Sequence, residues 1–442
     1  MQPLTPSTSV RAASLSGLVA CTAAELADQY TDLLASRWSR RADRLAGQEL
    51  DFADLCAYDD RIEAALDALV ALDDAARRHM QRRLEVPLRR AELFALACFG
   101  LGTRDRALLE AAAALATTVA DLMPAWTGAL AWTPASPLLE SAIEALPAPL
   151  RLDLAGRRGR EMPGLDERTR DWLRTLDTAP PNVVAALQWI RACGRSELAP
   201  VASEYLDHGE GSVRLAAAQT LLAVGPPQAR EAAVEALLTL ADDESDGLRR
   251  ALSTAALRSL ALHAPTLASR VLPRPDAPDH RRGTCLQALG WLGAVDALPT
   301  LIEALRDPPW ARTAAAAISL ITGSDPGRDG WLGVPAEPAE PAVRAADEDD
   351  RLPEAAADGE LPLPDAGAFA AWWRLHAGDF QRGRRYLAGR PIAPGWLATV
   401  LGTGLLASRP LAAEHLQHLT RGPLFPTDLP ASAQRARLHE LN

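Results

Sequence analysis

Residues 211–243 read GSVRLAAAQTLLAVGPPQAREAAVEALLTLADD, and the reading of this stretch decides the fold. Val213, Ala217, Leu221 and Val224 are separated by four, four and three residues. Val234, Leu237, Leu238 and Ala241 follow at three, one and three. Spacings of three and four put side chains on one stripe of a 3.6-residue helix. Gly225-Pro226-Pro227 divides the two stripes. Glycine is costly inside a helix and proline suits a first turn. The stretch is therefore expected to form two short helices joined by a turn. Neither can bury its stripe alone, so the pair must stack on neighbouring pairs.

Working outward, an arginine recurs near the start of successive segments. Arg89, Arg151, Arg214, Arg249, Arg281 and Arg312 are 62, 63, 35, 32 and 31 residues apart. The first two intervals are about twice the others, so the unit is 31–35 residues, with two weaker units near 120 and 183. Turns rich in Asp, Pro or Gly precede the arginines, as in Asp307-Pro308-Pro309 before Arg312. Period-two runs of β-branched residues are missing, so strands are not expected. The repeats over 183–325 resemble HEAT repeats in the Asp/Pro turn, the Arg after it and the Ala-rich helix of Val213-Arg214-Leu215-Ala216-Ala217-Ala218. The expected fold is all-α: a HEAT-like α-solenoid of stacked helix pairs with a small helical C-terminal cap. The resemblance implies that Arg214, Arg249, Arg281 and Arg312 form a structural ladder between repeats. A ligand-binding stripe of the same arginines is the alternative.

The chain of 442 residues is 48% hydrophobic and 23% charged, an ordinary globular composition. Its net charge of −11 is a poor prior for duplex DNA, which needs positive potential to displace counterions. All 46 basic residues are arginine, which excludes a lysine Schiff base, a P-loop lysine and a lysine general base. No apolar run is long enough to span a bilayer. Cys21, Cys56, Cys98, Cys193 and Cys285 are odd in number, far apart and without a CxxC, so a reducing cytoplasm is expected rather than a disulfide scaffold. Leu18-Val19-Ala20-Cys21 has the form of a lipoprotein cleavage box, but an early positive charge and a strong apolar run do not precede it.

The domains are expected as follows. Residues 1–24 form a disordered tail, 25–85 N-terminal helices, and 87–325 the solenoid, clearest over 183–325. An acidic, Pro-rich linker spans 326–365, and a C-terminal helical cap spans 366–442. Seven prolines fall in 326–365, and residues 336–365 carry ten acidic and two basic side chains. That net of −8 leaves only −3 for the rest of the chain.

Both ends carry recognisable signatures. One is Leu55…Asp60-Arg61-Ile62-Glu63-Ala64…Leu66-Asp67…Leu69. The other is Trp372-Trp373…Phe380…Gly383…Arg385-Tyr386-Leu387-Ala388-Gly389-Arg390-Pro391…Trp396-Leu397. With Ile318-Ser319-Leu320-Ile321-Thr322-Gly323, they resemble a bacterial family of HEAT-like proteins often encoded beside type VI secretion genes. The resemblance runs over roughly 25–425. It implies a cytoplasmic accessory of that machine, an adaptor or chaperone, whose partner is another protein: a secretion component or an effector toxin.

Motifs for chemistry are missing: no GxSxG elbow, no GxxxxGK[ST] and no HExxH. His415 and His418 share a helix face beside Glu414, but a metal needs further ligands. No catalytic, metal or cofactor residues are therefore assigned, and neither membrane nor nucleic acid is expected as partner. The best candidate surface is Arg382, Arg384, Arg385 and Arg390 with Tyr386, Trp372 and Trp373. Guanidinium groups bind carboxylates bidentately and stack on aromatics. This group reads either as a docking patch for an acidic segment or as a cap that packs Trp372, Tyr386 and Trp396 and solvates its arginines. An immunity protein that neutralises a toxin, and a HEAT-like enzyme acting on nucleic acid, are the competing functions.

Overall fold

Ten successive residues, Glu92–Leu101, are buried, so their helix has no outward face and must lie at the centre of its unit. The structure, a computed structural model, describes residues 8–46, 50–173, 175, 177–242, 246–271, 279–333 and 362–441. The chain divides into two compact units. Residues 1–195, 401–407 and 423–442 make the first; 196–400 and 408–422 make the second.

The first unit contains α1 (Thr8–Ala46), α2 (Phe52–Ala71), α3 (Asp73–Arg83), α4 (Arg90–Thr103) and α5 (Arg106–Thr118). It continues with α6 (Met123–Trp132), α7 (Pro137–Glu144), α8 (Ala148–Arg158), α9 (Pro163–Leu173) and α10 (Pro180–Cys193). The central α4 packs on α1, α2, α5 and α6, and α8 packs on α10. Trp38 stacks on Phe94 at 4.4 Å, and Gly128 lets α6 approach: a Cβ there would lie 2.8 Å from the Trp38 ring. The expected tail over 1–24 is corrected, because α1 begins at Thr8. Ala12, Ala13, Leu15, Leu18 and Ala20 favour helix, and a lone Gly17 costs only about 1 kcal/mol there.

The second unit contains α11 (Gly211–Val224), α12 (Arg230–Asp242), α13 (Gly247–His263), α14 (Pro265–Val271), α15 (Asp279–Leu292), α16 (Leu298–Ala304) and α17 (Pro308–Thr322). The stretch that opened the sequence reading folds as the expected pair, α11 and α12. Leu237 is fully buried on the inward stripe. Helices α11, α13, α15 and α17 pack in succession as one layer, with α12 against α11 and α13, and α16 against α17. This is the stacked-pair arrangement of an all-α solenoid. The turns behave as their composition requires. Asp246 caps α13 by accepting from the Arg249 amide at 2.8 Å, and Pro308 starts α17.

Three boundaries differ from expectation. Residues 326–365 do not simply run between two bodies. Trp331 is fully buried, the Gly333 amide donates to the Leu363 carbonyl at 2.7 Å, and the Asp365 amide to the Trp331 carbonyl at 2.8 Å. The residues flanking the acidic stretch are thus joined within the second unit; residues 334–361 lie outside the described residues. The small C-terminal cap is present, but residues 366–442 divide between the two units. α18 (Ala366–His376), α19 (Pro394–Thr403, as far as Val400) and α20 (Arg409–Thr420) belong to the second unit, whereas α21 (Ala431–Leu441) belongs to the first. Finally, a small hairpin, β1 (Tyr386–Leu387) with β2 (Arg390–Pro391), stands where no strand was expected. Two-residue strands have no period to read.

Candidate functional site

The hairpin turns at Ala388 and Gly389, with φ of 49° and 83°. Two successive left-handed residues make the turn type whose twist matches paired strands. Its tip meets the end of α17. The Ala388 amide donates to the Leu320 carbonyl at 2.7 Å and the Gly389 amide to the Ile321 carbonyl at 3.1 Å. The last carbonyls of a helix lack partners within it, so the hairpin satisfies two of them. Gly323, at φ 69°, ends α17 in the left-handed region, and a Cβ there would sit 2.8 Å from the Ala388 carbonyl carbon. The segment Ile318–Gly323 and the closing signature are therefore two halves of one joint.

Arg385 makes a second joint. Its Nε donates to the Leu292 carbonyl at 2.7 Å, and its two terminal nitrogens to the Leu262 and Ala261 carbonyls at 3.1 and 2.8 Å. One guanidinium thus ties the ends of α13 and α15, where the helix dipole favours a cation. Burial alone pulls its pKa down to about 10. Tyr386 is buried, and its hydroxyl accepts from the Gln381 amide at 2.8 Å. Trp372 stacks between Phe369 and His376, at 5.6 and 4.1 Å. Arg390 lies over the Trp396 ring at 4.8 Å, and Trp396 Nε1 donates to the Leu387 carbonyl. Of the proposed patch, Arg385 and Tyr386 are thus internal, and Trp372 is half-buried. Arg382 and Arg384 remain exposed on the loop before the hairpin, with Leu375 83% exposed on α18.

The arginines of the series make several kinds of bond among the described residues. Arg281 pairs with Asp242 at 3.2 Å, across from α15 to α12. Arg214 instead donates to the His208 and Gly209 carbonyls of its own turn, and Arg249 pairs with Asp246 three residues earlier. Arg312 donates to the Pro362 carbonyl, where the acidic stretch returns.

Two clusters join residues that the sequence did not connect. In the first unit, Arg41 forks onto Asp59, Nε to Oδ1 at 2.8 Å and a terminal nitrogen to Oδ2 at 2.9 Å. It also donates to the Asp428 and Leu429 carbonyls, while the Ala431 amide donates to Asp59 Oδ2 at 2.8 Å. The opening signature sits around this pair. Asp60 binds Arg435 at 2.9 Å and Glu63 accepts from the Ser432 hydroxyl at 2.7 Å, so its polar residues hold α21. In the second unit, His418 of α20 meets His263 of α13, and Arg258 reaches Glu414 at 3.2 Å. Burial, then the Arg385, His418 and Arg258 charges, hold His415 well below the ordinary imidazole range; burial and Arg230 lower His418. Both clusters join residues more than 150 positions apart in places, and no local signal announces them.

Among the described residues, no three His, Cys, Asp or Glu side chains gather in a way that could hold a metal ion. Cys56, Cys98, Cys193 and Cys285 are free thiols. Burial, with Asp166 beside it, pushes Cys193 up to about 12, and burial raises Cys98 as well, so neither offers a thiolate near neutrality. No described helix is long and apolar enough to cross a membrane. No protein-family model matches the chain, and no curated protein matches it in sequence.

Proposed function

We propose that the chain is a non-catalytic scaffold that binds another protein through its second unit. One observation supports this above others. The residues that look most like chemistry are spent on internal joints, while Arg382, Arg384 and Leu375 face outward beside the stacked helices. Exposed guanidiniums suit an acidic protein segment, and an exposed apolar side chain on the same unit suits a protein interface. The resemblance at both ends adds the setting: a cytoplasmic adaptor or chaperone for a type VI secretion component or effector. Four free thiols accord with a reducing compartment.

The test pairs the purified chain with secretion components and effectors encoded in its own gene neighbourhood. A complex is expected whose affinity drops about tenfold or more in the double variant Arg382→Glu, Arg384→Glu, each lost charge-assisted contact being worth roughly 1.5–3 kcal/mol. The thermal midpoint should stay within about 1 °C, because exposed side chains carry little stability. Full-strength binding by the folded variant removes this loop from the reading. Protection of cells from the toxin, rather than altered loading, would mark an immunity protein instead.

A further inference from the structure

His263 and His418 face each other Nδ1 to Nδ1 at 2.9 Å, with their rings edge-on at 4.7 Å. The ring of His418 also hydrogen-bonds the Leu222 carbonyl of α11. A ring that gives one N–H to a carbonyl leaves its other nitrogen as acceptor. So His263 donates and His418 Nδ1 accepts. Arg230 of α12 lies 3.5 Å from the same atom. A proton placed on that nitrogen removes the acceptor and sets a cation against an N–H and a guanidinium.

The charges that act on His418 most strongly among the described residues are cations, Arg230, Arg385 and Arg421. From α12 comes Arg230; from α13, Arg258 and His263; from the hairpin, Arg385; from α20 and its end, Glu414, His415 and Arg421. From α11 comes the Leu222 carbonyl. Glu414 is the carboxylate among these groups, and Arg258 already holds it. Arg385 spends its donors on three carbonyls, and Arg421 gives one to Gly225 at 3.3 Å. Among the described residues, four arginines and an already paired acid thus stand around the three imidazoles.

We infer that α20 is an acid-released strap: protonation of His418, with His415 beside it, breaks the bond to His263 and loosens α20 from α11 and α13. Burial and the arginines hold the folded His415 and His418 imidazoles below the free value of about 6.5. The unfolded segment therefore takes up protons more readily. The grip is complete above about pH 6.5 and is lost as the pH falls from there toward the folded values.

Hydrogen exchange on the full chain tests this, comparing pH 7.5 with pH 5.0 after correction for intrinsic rates. Protection over 409–420 should fall about tenfold per depressed imidazole for each pH unit below about 6.5 until its folded value is reached, which caps the fall at roughly thirtyfold per imidazole at pH 5.0, while α4 keeps its protection. In His418→Gln, whose amide still accepts from His263 without titrating, the fall should shrink. Arg230→Gln, which removes the facing cation, should shrink it too, and it serves if the first variant does not fold. Equal protection of α20 at both pH values, or an undiminished fall in these variants, overturns the inference.

Discussion

Arg385 shows what one side chain contributes when its surroundings are fully occupied. Its charge is buried, which is costly, and three carbonyls at two helix ends offset that cost. Arg385→Met should keep the volume and leave three carbonyls unpaired, lowering stability by about 3 kcal/mol or more in urea unfolding followed on the second unit. Asp59 is the counterpart in the first unit. Asp59→Asn leaves Arg41 buried without its counter-charge and should cost about 3–5 kcal/mol. Because the Ala431 amide shares that carboxylate, proteolysis of residues 423–441 should quicken in the same variant. From sequence, Arg-Gly-Arg-Arg-Tyr reads as an exposed basic patch, and for Arg382 and Arg384 exposure holds. Arg385 differs because its partners lie 93 to 124 residues earlier, where no spacing rule reaches. Tyr386 of the same segment is buried.

At the scale of elements, periodicity was a sound guide wherever an element had enough residues to show one. The pair over 211–243, its Gly-Pro-Pro turn and the later repeats all fold as their stripes require. The hairpin and α1 were not legible, for opposite reasons. The first is too short to alternate; the second keeps helix propensity through a mixture of Ser, Thr and Gly that looks like a tail. Close approach of helices is a further property that stripes do not reveal. Gly290 lets α15 touch α17: a Cβ there would lie 2.8 Å from the Ala317 Cα. Since backbone cannot step aside as a flexible side chain can, Gly290→Val should destabilise by about 1–3 kcal/mol, read as a lower midpoint in thermal unfolding.

For the whole molecule, the two end signatures prove to be fastenings. The opening one grips α21 in the first unit, and the closing one grips the ends of α13, α15 and α17 in the second. Their residues were identifiable in the sequence, whereas their role was not, because a fastening and a docking patch use the same arginines and aromatics. The division of residues 366–442 between both units was equally hidden, since chain order says nothing about which body a segment returns to.

The bond between Gly333 and Leu363 has a consequence for how such a chain can change over generations. With Gly333 and Leu363 already joined, an insertion or deletion between them leaves both anchor points where they are. Closing a loop twice as long costs only about 0.6 kcal/mol. Indels and reshuffled spelling there should be tolerated freely among descendants of this gene, while the few residues at the anchor points are held to their places.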